Sequence, residues 1–160
     1  MLFVQLIFKH KEEVGFKIVI NGIGRKSNAW VSPIGCLMFS YKSALTNSKY
    51  IGLAQYLEAL VCCKAIKELK ELKDENYLDI NIKWPNDVYM NRKTKFVGII
   101  CQSAYSNGVF DITSGIGINV SNYKPTTCLE KEIEDKTGKR IHLSRYFWIT
   151  YWINKIEVNY

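Results

Sequence analysis

The sequence predicts an α+β fold in which a mixed, mostly antiparallel sheet carries helices on one face. Three observations lead there. Short apolar segments are joined by turn-forming residues at Asn91-Arg-Lys-Thr94 and Ser106-Asn-Gly108, as in hairpins. Apolar residues recur at spacings of three and four from Lys49 to about Lys73, as on a packed helix. The 160 residues are 48% apolar and 13% aromatic with only 3 Pro and 10 Gly, which suits a buried core and excludes a disordered or collagen-like chain.

Each element follows in order. Met1-Leu-Phe-Val-Gln-Leu-Ile-Phe8 reads as a core strand, because it has neither a basic leader nor a small-residue cleavage site and is too short to span a bilayer. Phe16 to Ile20 and Gly35 to Ser40 read as strands bracketing a polar, glycine-bearing loop from Asn21 to Pro33. Ile51, Ala54, Leu57, Val61, Ala65, Leu69 and Leu72 form the predicted packing stripe of the long helix. Lys64, Lys67, Lys70 and Lys73 interleave with Glu68, Glu71, Asp74 and Glu75 on its solvated face. Leu78 to Ile82 alternates like a half-buried strand, and Val88-Tyr-Met90 and Phe96 to Cys101 flank the first hairpin turn. Val109 to Thr113 and Gly115 to Val120 continue the sheet, with glycines where something approaches the backbone closely. Ser144 caps a last helix carrying Tyr146, Phe147, Ile149, Trp152, Ile153 and Ile156. No repeat or linker divides the chain, so residues 1–160 form one domain.

Twenty-two Lys and Arg against 15 Asp and Glu leave a charge of +7, spread along the chain rather than clustered. With no RNP-type strand, zinc-finger spacing or basic arm, nucleic acid is not the expected partner; small anionic ligands such as nucleotide phosphates suit the same charge. The five cysteines are odd in number, contain no C-x-x-C pair and sit in apolar stretches. They read as reduced core thiols of a cytosolic or organellar protein, with a catalytic thiol as the minor reading and zinc disfavoured.

Two segments can carry chemistry. Gly22-Ile-Gly-Arg-Lys-Ser-Asn28 follows a strand and could turn backbone N–H groups toward an anion, with Arg25 and Lys26 adding charge. Ser27 stands where a dinucleotide fingerprint would have its third glycine, and an ordinary tight turn is the competing reading. Trp30 could stack on a base or fill the core. Lys83-Trp-Pro-Asn-Asp87 gathers a lysine, an amide and a carboxylate at a strand end. A capped turn with a snorkelling lysine would be the structural account. The hairpin would bring Lys95 near this segment, and two amines beside one carboxylate suit a polyphosphate with its magnesium.

Gly22-x-Gly-Arg25 with Asn28-x-Trp30-x-Ser-Pro33, Lys83-Trp-Pro-Asn-Asp87, Lys95-x-x-Gly98 and Gly115-x-Gly-x-Asn119, in this order, resemble the catalytic core of biotin protein ligases. Gly35 to Ser40 resembles the animal holocarboxylase synthetases in particular. The resemblance spans about residues 16 to 127 and implies the biotin–lipoate ligase catalytic fold, similar to class II aminoacyl-tRNA synthetases. It implies ATP-dependent formation of biotinyl-5′-AMP, then transfer of biotin to a lysine on the carrier domain of a biotin-dependent carboxylase, in the cytoplasm or the mitochondrion. ATP and Mg²⁺ are the implied cofactors and biotin the substrate; no nucleic acid or membrane is implied as a partner.

The same resemblance implies residue roles. Arg25, Lys95 and Lys83 would be catalytic. Gly22, Ile23, Gly24, Arg25, Lys95, Gly98, Gly115 and Gly117 would line the biotin site. Arg25, Trp30, Lys83, Asn86, Asp87 and Asn119 would hold the nucleotide, with Trp30 against the adenine, Asn119 on its edge and Asp87 at Mg²⁺. Two family features have no counterpart here: a Ser/Thr-rich ureido-binding segment before Phe16, and a glutamine at the position of Val19. A small β-barrel that follows the last helix in the family is also lacking, so the expectation is a partial catalytic domain. The alternative is an impaired fragment or paralogue that binds nucleotide or carboxylase without ligating.

Overall fold

Alternation and turn chemistry build a sheet of seven strands. The computed structural model describes residues 7–8, 14–18, 22–23, 29–69 and 79–156, with side chains over 30–69, 79–151 and 154. In chain order the elements are β1 (Ile7–Phe8), β2 (Val14–Ile18), β3 (Gly22–Ile23), β4 (Ala29–Trp30), β5 (Cys36–Leu45), a 3₁₀ turn (Ser48–Leu53), α1 (Ala54–Lys67), β6 (Ile80–Lys83), β7 (Asp87–Met90), β8 (Thr94–Ser106), β9 (Val109–Asn119), α2 (Leu129–Thr137) and α3 (Arg145–Ile156). The sheet order is β1-β2-β5-β9-β8-β7-β6, and β3 pairs with β4 apart from it. All described pairings are antiparallel, so the mostly antiparallel expectation holds without a parallel exception among the described residues.

Both hairpin turns form where the sequence places them. Asn91 and Arg92 adopt φ of 52° and 56°, and Asn107 and Gly108 adopt 50° and 82°, the left-handed conformations that match the twist of the flanking strands. The strands run longer than the apolar segments suggest: β8 extends to Ser106, and Val109 to Asn119 is one continuous strand. Once two strands are in register, backbone pairing continues past the apolar residues that nucleate it.

One face of the sheet is the core face. Leu37, Phe39 and Tyr41 of β5, Ile116 and Ile118 of β9, Val97 and Ile99 of β8 and Val88 of β7 pack there with Ala59, Cys62, Ala65 and Ile66 of α1, Leu129 and Ile133 of α2, and Trp148 and Ile149 of α3. Each fully buried aliphatic side chain contributes about 1.5–3 kcal/mol. The helices therefore lie on one face, as expected.

Three details differ from expectation. The long helix opens as a 3₁₀ turn, capped by Asn47, whose side chain accepts from the Lys49 N–H at 3.0 Å. It ends at Lys67, and the predicted continuation over 70–73 lies outside the described residues. Its buried stripe is Ala54, Glu58, Ala59, Cys62, Ala65 and Ile66, while Leu57 and Val61 are half-buried and Leu60 exposed. Small residues let the helix axis approach the sheet, so size outweighs hydrophobicity in choosing the face. Helix α2 was not expected: Gly138, at φ 67°, ends it by donating its N–H to the Glu134 carbonyl at 2.8 Å. Ser144 caps α3 as expected, its Oγ accepting from the Tyr146 N–H at 3.3 Å. Among the described residues no helix is long and apolar enough to cross a membrane.

Candidate active site

Opposite the core face, the sheet presents a surface with few large side chains. Strand register fixes its rows. Cys36 faces Asn119; Met38, Gly117, Gly98 and Asp87 lie side by side on β5, β9, β8 and β7; Ser40, Gly115 and Ile100 form the next row. Gly98 and Gly117 are direct cross-strand partners, so the middle of this surface is bare backbone.

Trp30 lies on that floor. A Cβ on Gly98 would stand 2.5 Å from Trp30 Cζ3, and one on Gly117 would stand 2.6 Å from Trp30 Cε2. Neither distance is possible for packed carbon, so both glycines are needed for the indole to sit there. The indole Nε1–H points to Cys36 Sγ at 3.5 Å. Burial pushes the Cys36 thiol up, and hydrogen bonds from Trp30 and Ser32 offset part of that rise. Cys36 is thus a neutral acceptor at the floor and not a thiolate. Backbone pairing of Gly22 with Trp30 and Ile23 with Ala29 ties the glycine loop to this indole.

Lys95 reaches the same surface through an irregularity. Val97, Ile99 and Cys101 pair with Ile118, Ile116 and Ser114 on the core face, so simple alternation would turn Lys95 inward too. The register shifts between Val88 and Tyr89: Val88 pairs with Val97 but Tyr89 with Lys95, leaving Phe96 as an extra residue. Phe96 and Val97 both bury completely, and Lys95 emerges on the outer face. Its Nζ sits 2.7 Å from Asp87 Oδ1 and 5.4 Å from the Trp30 ring centre. Helix α2 bolts this hairpin in place: Glu132 accepts from Asn91 Nδ2 at 3.4 Å and from Thr94 Oγ1 at 3.3 Å.

The Lys83-Trp-Pro-Asn-Asp87 segment forms the turn between β6 and β7. Lys83 pairs with Asp87 across the strands, and its Nζ lies 5.5 Å from the Tyr89 ring centre. Asn86 is buried and donates from Nδ2 to the Ile99 carbonyl at 2.6 Å, while its own carbonyl accepts the Ile99 N–H at 3.1 Å. These bonds pin the segment to β8. Trp84 is exposed and meets Tyr56 with ring centres 5.3 Å apart.

The structure thus brings Trp30, Lys83, Asp87, Lys95, Gly98, Gly117 and Asn119 onto one face. Gly115 stands one row further along, its Cβ position 3.1 Å from Ile100 Cγ2 rather than against Trp30. Gly22 and Ile23 are described only as strand backbone, and Gly24, Arg25 and Asn28 lie outside the described residues, as does Val19. Sequence reasoning passed over Cys36, Met38, Tyr89 and Asn122. The first two were signalled by alternation within Gly35 to Ser40, and Asn122 only by its position after Asn119. For Mg²⁺ the fit is poor: Asp87 is engaged by Lys95, and no group of three His, Cys, Asp or Glu residues among the described residues could hold a metal. Chemically, a flat uncharged floor beside two ammonium groups and one restrained carboxylate suits a ring-bearing ligand with an anionic reacting end.

The sequence model of the Biotin/lipoate A/B protein ligase family matches residues 10–119. "Biotin--protein ligase 2" of Arabidopsis thaliana is 41% identical over 118 residues, covering 74% of this chain and 36% of that protein. "Biotin--protein ligase 1, chloroplastic" of the same plant is 36% identical over 140 residues, covering 88% and 38%. The chain thus spans little more than a third of these relatives. Among solved structures, the biotin acetyl coenzyme A carboxylase synthetase of Helicobacter pylori with bound biotinylated ATP superposes with a TM-score of 0.62 at 25% identity, covering 91% of this chain and 61% of that one. The biotin protein ligase of Leishmania major in complex with biotinyl-5-AMP gives a TM-score of 0.64 at 20% identity, covering 83% and 58%, a likeness of fold.

Proposed function

Since the chain belongs to the biotin/lipoate A/B protein ligase family, we propose that it is a biotin–protein ligase. Biotin and ATP give biotinyl-5′-AMP and pyrophosphate, and a lysine on the carrier domain of a biotin-dependent carboxylase then takes the biotinyl group. The observation that carries this reading is Lys95, re-aimed by the bulge onto a glycine floor and held 2.7 Å from Asp87.

From that position the Lys95 ammonium holds the biotin carboxylate while one of its oxygens attacks the α-phosphorus and pyrophosphate departs. It then polarises the carbonyl of the mixed anhydride for the incoming amine, and AMP leaves. Asp87 restrains Lys95, which limits the rotamer freedom of a long side chain before substrate arrives. Gly98 and Gly117 seat the Trp30 indole, which offers its ring face to the adenine. Lys83 attracts phosphate, and Arg25 in the glycine loop neutralises the charge that grows as pyrophosphate leaves. A magnesium ion arriving with the nucleotide would take its ligands chiefly from phosphate and water. The cytoplasm or the mitochondrion is the proposed compartment, where the five free thiols would persist.

Incubation with ATP, biotin and a carboxylase carrier domain should yield biotinylated carrier and pyrophosphate. Lys95→Ala should lower that rate at least about 100-fold, the scale expected for removing a charge-stabilising group. An unchanged rate in Lys95→Ala overturns the assignment of the residue. ATP binding without pyrophosphate release by the parent chain favours a nucleotide-binding protein that does not ligate.

A further inference from the structure

Asn119 and Asn122 form a pair of buried amides at the end of β9. Asn119 stands opposite Cys36, whose thiol receives the Trp30 indole N–H, so its side chain borders the aromatic end of the site. Asn119 is 6% exposed and Asn122 2%. Asn122 Nδ2 donates to Asn119 Oδ1 at 2.9 Å. The Asn122 position is itself built: Gly35, at φ 96°, passes so close to residues 121–122 that a Cβ there would lie 2.6 Å from the Ser121 carbonyl carbon and 2.7 Å from the Asn122 nitrogen. The Ser121 N–H further bonds the Gly35 carbonyl at 3.1 Å.

This pair has a chemical polarity. A carboxamide offers a donor and an acceptor that its outline hardly distinguishes, so a base-reading Asn must be told which end to present. Here Asn119 Oδ1 is committed to Asn122, whereas Asn119 Nδ2 has no partner among the described residues. Asn122 also keeps its own Oδ1 buried without a partner among the described residues. A leucine would fill similar space without stranding an acceptor, so packing alone does not account for an amide at position 122.

We propose that Asn122 is a positioning residue that fixes the amide of Asn119, so that Asn119 donates a hydrogen bond from Nδ2 to a ring nitrogen of the adenine. This rests on the ligase reading above for the identity of the base. Asn122 touches no reacting atom; it acts through Asn119.

The test is calorimetric binding of ATP to the full 160-residue chain, which does not require ligation. In Asn122→Asp a carboxylate faces Asn119, which turns Nδ2 toward position 122 and Oδ1 toward the base. ATP affinity should fall about tenfold, the scale of exchanging one hydrogen bond for a repulsion, while biotin affinity stays within about twofold. Asn122→Ala, which leaves the Asn119 amide free to rotate, should cost about threefold. In an Asn119→Ala background neither substitution should cost more, because the group they orient is gone. One of 1-deaza-, 3-deaza- or 7-deaza-ATP should bind the parent chain about tenfold more weakly than ATP and bind Asn119→Ala no more weakly than ATP does. Additive losses, equal losses of biotin and ATP affinity, or indifference to all three analogues overturns the proposal and leaves the ligase reading standing. ATP affinity that responds as described in a chain that makes no biotinyl-AMP overturns the ligase reading and leaves the polarity of the pair intact. A chain that binds no ATP removes both.

Discussion

Strand β9 has two faces that obey different rules. Toward the helices it places Ile112, Ser114, Ile116 and Ile118, all buried. Toward the site it places Thr113, Gly115, Gly117 and Asn119, where the value of a residue lies in the room it leaves or the hydrogen bond it offers. One backbone serves both because the period of a strand is two: a substitution at one residue belongs to stability, and at the next to ligand fit. Damage to fold and damage to function should therefore separate cleanly along eleven residues.

The largest expected effect is on the core side. Ile118→Ala removes a fully buried side chain wedged among Leu37, Val97 and the helices and should lower unfolding free energy by about 2–5 kcal/mol in a denaturant titration. On the ligase reading, its ligation rate per folded molecule should stay near that of the parent. Next comes its neighbour. Gly117→Ala puts a methyl group where Trp30 lies, so the indole must leave its seat. Ligand affinity should fall roughly tenfold with a stability change within about 1 kcal/mol. Equal stability losses at the two positions would break the comparison.

The smallest effect sharpens it through pH. Burial pushes the thiols of Cys63, on α1, and Cys101, on the core face of β8, up to about 11, against an ordinary value of 9.0. Between pH 9 and pH 11 the folded chain holds protons that the unfolded chain has released. Stability should therefore be insensitive to these thiols below pH 9 and decline as pH rises toward 11. Cys101→Ser should flatten part of that decline in melts recorded across the range. A decline of unchanged slope would mean that the core-side thiol is not its source.

Much of this architecture was legible from residue order. Both hairpin turns carry residues suited to left-handed backbone, and the helices stack on one face as the apolar pattern demands. Most motif residues converge because they sit at matching register positions of adjacent strands. What stayed hidden was whatever depends on size or on a broken period. The predicted α1 stripe includes Ala54, Ala65 and Leu69, which are buried, but also Leu57 and Val61, which are only half-buried, while the sheet takes in Ala59 and Cys62 because they are small. Helix α2 has only Leu129 and Ile133 as buried apolar anchors among charges, too few for periodicity to announce it. The seat of Trp30 required knowing that two glycines far apart in sequence are cross-strand partners. That Asn86 pins its segment to Ile99 also needed the fold, because an amide's partner is not written in residue order.

The extra residue at Phe96 makes strand register, and not only residue identity, a functional variable. Removing that one codon would pair Val88 with Val97 and Tyr89 with Lys95 in an uninterrupted ladder, leaving Lys95 on the outer face and taking the buried Phe96 ring from the core. Were Phe96 instead to take the place opposite Tyr89, Lys95 would stand opposite Met90 on the core side and Thr94 would take its place at the surface, although all the motif letters survived. A homologue carrying the full set of signature residues on a regular β7–β8 ladder should therefore be read as having lost the lysine from the site.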